Sequence, residues 1–260
     1  MSQVVEISSR DNPLLALVRK LVRDPGAYRR QQQLWLEGEH LLSALMARGG
    51  TPAQVLIAES AWGQPALQAL ARRAPRIARL PDALMASLSG LESPAPIGAL
   101  VALPAASPIG PAEPSVVLDR LQDTGNVGSI LRSAAALGVR QVLALKGTAA
   151  LWSPKVLRAA QGAHFGLVLH EGLAHDDLAA LAVPLVGTSL QAAALLPQAR
   201  LPWPCAWVLG HEGQGADPAL LARCALTVRI PQPGGEESLN VAAAAAVCLY
   251  ESLRQRPDWA

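Results

Sequence analysis

Aromatic side chains are scarce in this chain of 260 residues: one Phe, two Tyr and six Trp amount to 3% of it, against 51% hydrophobic residues overall. A core must therefore be packed mainly from Ala, Leu and Val. Cysteine is equally thin. Cys205, Cys224 and Cys248 show neither metal-ligand spacing nor an even count, which argues against a disulfide framework or a structural metal and predicts reduced, buried thiols in a cytoplasmic protein. Long apolar runs are missing too. No stretch approaches the roughly 18 uninterrupted apolar residues of a membrane span, and residues 1–11 lack the apolar centre of an export signal. The chain reads as soluble and unexported.

Charge of one sign is also lacking, since the net value is only +2, which argues against a protein coated in nucleic acid. The distribution is uneven, however. Residues 1–110 carry 11 Lys and Arg against 8 Asp and Glu, while residues 111–260 carry 11 against 12. Arg10, Arg19, Lys20, Arg23, Arg29 and Arg30 form one basic cluster, and Arg72, Arg73, Arg76 and Arg79 form a second with no acid among them. Such clusters are able to neutralise phosphates, and a solvated helix face explains any one of them equally well.

What is present is a long chain with room for one large or two ordinary domains. Between residues 104 and 114, four prolines and a glycine interrupt the apolar periodicity, so 104–114 reads as a linker between domains at 1–103 and 115–260. Before it, helices at 13–23 (capped by Asn12), 39–47, 65–73 and 81–88 alternate with strand-like runs at 34–36, 55–58, 77–80 and 97–103, a small α/β domain. After it, short apolar runs at 115–118, 142–145, 167–169, 185–187, 206–209 and 226–230 each fit a strand buried on both faces. Helical segments at 127–137, 154–160, 176–181, 218–223 and 239–254 supply the crossovers that a parallel sheet requires. The second domain is predicted to be a doubly wound α/β sheet.

Polar residues gather at three strand ends, where open α/β sheets hold ligands. After the first strand of this domain, Asn126 stands where a helix begins and fits either a cap or a functional residue; Arg132 follows among Ile130, Leu131 and alanines, with snorkelling to solvent as the ordinary alternative. After the fifth, Gly210, Gly213 and Gly215 flank Glu212, in a turn that lacks the dinucleotide fingerprint and the P-loop Lys. After the sixth, Pro231, Pro233, Gly234, Glu237, Ser238 and Asn240 crowd the entry to a helix carrying Ala242 through Ala246. This last segment fits a site and a capped core helix about equally. At one sheet edge the three turns would make one composite pocket.

These segments resemble the three motifs of the SpoU (TrmH-type) ribose 2′-O-methyltransferases of the SPOUT class. The first matches through Asn126, Val127, Gly128, Ile130, Arg132 and Ala134. The second matches through Leu209, Gly210, Glu212, Gly213 and Gly215, and the third through Ile230, Pro231, Gly234, Glu237 to Val241, Ala244 and Leu249 to Glu251. Arg158, Gly162, Ala163 and Phe165 match as well, and Leu36, Glu37 and Gly38 resemble the family's N-terminal substrate-binding domain. The resemblance implies a knotted (trefoil) methyltransferase domain, S-adenosylmethionine as cofactor, a homodimer, no metal and an RNA substrate, ribosomal RNA ahead of transfer RNA. It implies contact with the methyl donor at Thr188, Leu209, Gly210, Ile230 and Leu239. Arg132 would activate the hydroxyl, with Asn126, Glu212, Ser238 and Asn240 completing the catalytic set. His211 departs from the family's asparagine, Ala242 from a small hydroxyl residue and Gln161 from a serine; titration of His211 would add an acid-side inflection to the rate. A non-catalytic RNA-binding protein of the same fold and a dinucleotide oxidoreductase are the rival readings.

Overall fold

The computed structural model describes residues 2–234 and 238–256. It forms two compact units, Met1–Ala105 with Trp152–Phe165, and Ala106–Leu151 with Gly166–Ala260. The chain therefore returns to the first unit after the linker, which the reading of an unbroken second domain over 115–260 did not foresee.

The first unit runs β1 (Gln3–Glu6), α1 (Pro13–Arg23), α2 (Ala27–Gln31), β2 (Gln33–Glu37), α3 (Glu39–Ala47), β3 (Gln54–Ala58), α4 (Glu59–Trp62), α5 (Pro65–Ala71), β4 (Arg76–Leu80), α6 (Asp82–Ala86) and β5 (Ile97–Ala102). The strand order is β1-β4-β3-β5-β2, with β1, β4 and β3 parallel and β5 antiparallel to both of its neighbours. Asn12 caps α1 as expected, accepting the Leu14 N–H at 2.9 Å, and Leu15, Val18 and Leu21 supply its buried face. Strand β1 escapes the apolar pattern because all four of its residues are exposed; backbone pairing with β4 recruits it.

In the second unit β6 (Ser115–Asp119), α7 (Thr124–Ala136) and β7 (Gln141–Leu145) come first. Next is α8 (Pro154–Ala160), which groups with the first unit and buries Val156, Leu157 and Ala160 there. Then follow β8 (Val168–Leu173), β9 (Leu185–Thr188), β10 (Ala194–Leu195), β11 (Ala206–Gly210), α9 (Pro218–Leu221), β12 (Leu226–Arg229) and α10 (Val241–Arg254). All seven strands are parallel, in the order β10-β12-β9-β11-β6-β7-β8. The inner strands β6, β7 and β11 are buried on both faces, as read from sequence, whereas β8 and β12 expose part of theirs near the sheet margins. The segment 176–181 is a 3-10 helix, His175–Ala180, instead of a full α-helical crossover. Because β12, β9, β11 and β6 are consecutive neighbours and parallel, their carboxyl ends open on one edge, which brings the polar turns together.

Helix α10 packs on α7 and on β11. Trp207 on β11 is fully buried, and its indole N–H donates to Ser252 on α10 at 2.9 Å. Cys205 and Cys248 are buried and all three thiols are free. Burial pushes Cys205 and Cys248 from the ordinary 9.0 up to about 12 and Cys224 up to about 11. A thiol whose pKa is raised on folding holds its proton more tightly in the native state, so its contribution to stability is complete below pH 9 and is lost as pH rises towards 12. Thermal unfolding followed from pH 7 to pH 10.5 should show the melting temperature falling above pH 9, and replacing Cys205 and Cys248 by Ala or Ser should flatten that fall.

Candidate active site

The cap of α7 is Asp123, whose carboxylate accepts the Asn126 N–H at 2.6 Å. Asn126 is thus one turn into the helix, and the sequence expectation of a cap there is corrected: its side chain is released for other bonds. The Asn126 amide N–H₂ donates to Glu212 Oε1 at 3.3 Å, and its carbonyl oxygen accepts from Asn240 Nδ2 at 2.9 Å. Glu212 also receives the Asp123 N–H at 3.4 Å. Asn240 caps α10, its Oδ1 accepting the N–H groups of Ala242 at 2.9 Å and Ala243 at 3.3 Å. Helix α10 therefore begins at Val241, and Ser238 and Leu239 remain in the entering loop. One chain of side-chain bonds, Asn240 to Asn126 to Glu212, joins all three turns.

The turn after β11 is sterically determined. A Cβ on Gly210 would lie 1.9 Å from the Ala216 nitrogen and 2.2 Å from the Gly215 carbonyl carbon, both backbone atoms that cannot yield. Gly215 sits at φ +71° and donates its N–H to the His211 carbonyl at 2.8 Å, closing the loop. The His211 imidazole Nδ1 accepts the Gly213 N–H at 3.0 Å. An asparagine carbonyl oxygen makes the same bond two residues on, so His211 can close this turn as the asparagine implied by the resemblance would.

The turns after β9, β11 and β12 line a cavity of about 530 Å³, within the usual range of small-molecule sites, while the turn between β6 and α7, Asn126 included, contributes none of the lining and reaches it only through Glu212 and Asn240. Thr188, Gly210, Ile230 and Leu239 line it, together with Glu212, Ser238 and Asn240. Polar residues and apolar ones share the lining, with Leu190, Leu239 and Val228 among the apolar members. Leu209 is the exception among the expected contacts. It is buried in β11 between β6 and β9 and does not line the cavity, because strand alternation turns its side chain into the core. Arg132 is exposed on α7, two turns beyond Asn126, and is outside the cavity lining. Glu237 lies outside the described residues. Asp119 and Arg120, passed over in sequence, stand at the end of β6, where an acid closing an apolar strand was the available signal. Among the described residues no group of three or more His, Cys, Asp or Glu is arranged to hold a metal ion, and no helix is long and apolar enough to cross a membrane.

Residues 113–250 match the profile of the SpoU rRNA Methylase family. A 23S rRNA (guanosine(2553)-2′-O)-methyltransferase of Bacillus subtilis is 32% identical over 218 residues, 83% of this chain and 86% of that protein. An uncharacterised tRNA/rRNA methyltransferase of Synechocystis is 34% identical, covering 100% of this chain and 96% of the other. Among solved structures, an RNA 2′-O ribose methyltransferase superposes with a TM-score of 0.80 at 31% identity, covering 96% and 99% of the two chains. The SpoU methyltransferase AviRb of Streptomyces viridochromogenes, in complex with AdoMet, gives 0.85 at 25% identity, covering 95% and 99%. The chain belongs to the SpoU rRNA methylase family, and its cofactor is S-adenosylmethionine.

Gly210→Ala tests the cavity directly. Its methyl group has no space against the Ala216 backbone, so calorimetric titration with S-adenosylhomocysteine should show binding lost or weakened by about two orders of magnitude, as expected when packed backbone is forced apart.

Proposed function

We propose that this enzyme transfers a methyl group from S-adenosylmethionine to a ribose 2′-hydroxyl of ribosomal RNA, with transfer RNA as the second candidate substrate. The observation that carries the proposal is the Asn240–Asn126–Glu212 chain running along a cavity floored by Gly210. The bound cofactor supplies an electrophilic methyl on sulfonium. What remains for the protein is to hold the hydroxyl in line with it and to manage one proton. Thr188, Gly210, Ile230 and Leu239 would hold the donor, largely through backbone. Asn126, Glu212, Ser238 and Asn240 would fix the shape of the acceptor side.

Arg132 would act on the hydroxyl. A guanidinium holds its proton too tightly to be a good base, so stabilisation of the developing alkoxide, or a grip on the neighbouring phosphate, is the easier role. Its place outside the cavity of its own chain bears on the quaternary structure. The exposed stripe Ala243, Val247 and Tyr250 on α10 supports a homodimer, and α7 lies against α10, so pairing there would carry Arg132 to the subunit boundary.

Three further parts belong to the same reading. The last strand, β12, is inserted between β10 and β9 instead of at a margin, which supports a threaded C-terminal chain with a trefoil knot. The first unit, with exposed Arg72 over the Trp62 ring, and with Arg73, Arg76, Arg10, Lys20, Arg23, Arg29 and Arg30 also on its surface, would bind RNA phosphates. The unpaired thiols fit a cytoplasmic enzyme.

Purified protein, labelled cofactor and total RNA from cells lacking the enzyme should yield one new 2′-O-methyl position in ribosomal RNA. Label confined to transfer RNA would move the substrate, and cofactor binding without any transfer would leave a non-catalytic RNA-binding protein. Arg132→Ala should abolish transfer while the cofactor dissociation constant stays within about twofold, the signature of an interaction made only in the transition state. Val247→Glu should shift the light-scattering mass towards the monomer; an unchanged dimer would place the interface elsewhere.

A further inference from the structure

Asp119 closes β6, and its carboxylate has no exposure at all. A buried carboxylate is costly unless each oxygen is satisfied, and this one accepts three bonds: from Arg120 Nε at 2.9 Å, from Arg120 Nη2 at 3.1 Å and from the Asp217 N–H at 2.7 Å. The third of these reaches 98 residues along the chain, to the far end of the turn that begins at His211.

Arg120 is unusual in its own right. Its backbone is left-handed, at φ +59°, a conformation that glycine adopts without strain and a long side chain does not. The Arg120 N–H donates to Thr148 Oγ1 at 3.1 Å, and that hydroxyl donates onward to the Leu118 carbonyl at 3.0 Å, which holds the bend from both sides. The guanidinium makes a bidentate pair with Asp119 and directs Nη1 at Gln214 Oε1, 3.5 Å away. The hydrogen bond to Asp119 raises the Arg120 pKa above its ordinary value, so the guanidinium stays charged. A glycine would form the bend more easily, which implies that the side chain is what the position requires.

We propose that Asp119 and Arg120 are positioning residues that clamp the His211–Asp217 loop into the shape required for the methyl donor and for Glu212. The clamp touches the loop at Gln214 and Asp217 and so brackets Gly215 and Ala216, whose backbone abuts Gly210. Glu212 leaves the same loop to meet Asn126. With the clamp intact, the loop is held from β6 on one side and by the Asn126 bond on the other. The assignment rests on the reading of the cavity as the cofactor site.

Arg120→Gly tests it, because glycine suits the left-handed backbone and removes only the side chain. Asp119→Asn is the second variant, retaining shape while losing the charge-assisted pair. Arg120→Gly should raise the dissociation constant of S-adenosylhomocysteine about tenfold, the loss expected for a charge-assisted pair. Hydrogen exchange at the Gly213, Gly215 and Asp217 amides should quicken, and KM for S-adenosylmethionine should rise while KM for RNA holds; the melting temperature should fall as well, because the buried Asp119 carboxylate loses its counter-ion, with the variant still folded at the assay temperature. Asp119→Asn should move each readout in the same direction. Wild-type affinity and exchange in Arg120→Gly would overturn the clamp, as would losses that track global unfolding in both variants. A wild-type protein that does not bind S-adenosylhomocysteine would overturn the cavity reading itself and the clamp with it.

Discussion

The site depends on a short side-chain relay: Asn240 donates to Asn126 and Asn126 donates to Glu212. Each member comes from a different strand-to-helix turn, and none reaches another unless the parallel sheet places β6 and β11 side by side with the last helix above them. Asn240 couples the relay to α10, since the oxygen of the same amide caps that helix. A shift of α10 along its axis would break cap and relay together, so the position of the helix and the geometry of the relay are set by one residue. An amide suits this post because it offers both a donor and an acceptor, where a carboxylate would offer only acceptors at neutral pH.

Beside this polar constraint stands a steric one. Gly210 lets the strand end approach the Ala216 backbone so closely that no side chain fits between them. The result is a loop packed on its own strand, presenting backbone groups and small residues to the cavity. Recognition through backbone, as proposed for this cavity, would need few charged residues, in keeping with the glycines and prolines concentrated in its turns.

Much of the second unit was legible because its inner strands are buried on both faces and so read as unbroken apolar runs. The same logic explains the misses. β1 and β10, of four and two residues, are too short for an apolar period to register, and their existence depends on pairing with partners far away in sequence. Asn126 was ambiguous because a cap and a site residue draw on the same polar types; the choice turned on Asp123, three residues earlier, taking the cap. Leu209 matched the motif, but strand alternation aims its side chain inward, and a match by position does not record which face a residue presents. Asp119 and Arg120 gave only a faint signal, because their partners lie 28 and more residues away. The basic residues of the first unit are legible as a charge pattern and become a surface only once the fold distributes them.

The excursion of residues 152–165 has a consequence for how the protein comes into being. A chain emerging during synthesis cannot complete its first unit when the linker appears, because α8, with Val156, Leu157 and Ala160, has yet to arrive. By then β6, α7 and β7 have already been made. The two units are therefore interlaced in time as well as in sequence, and a cut at the linker would part α8 from the strand β2 that it packs against.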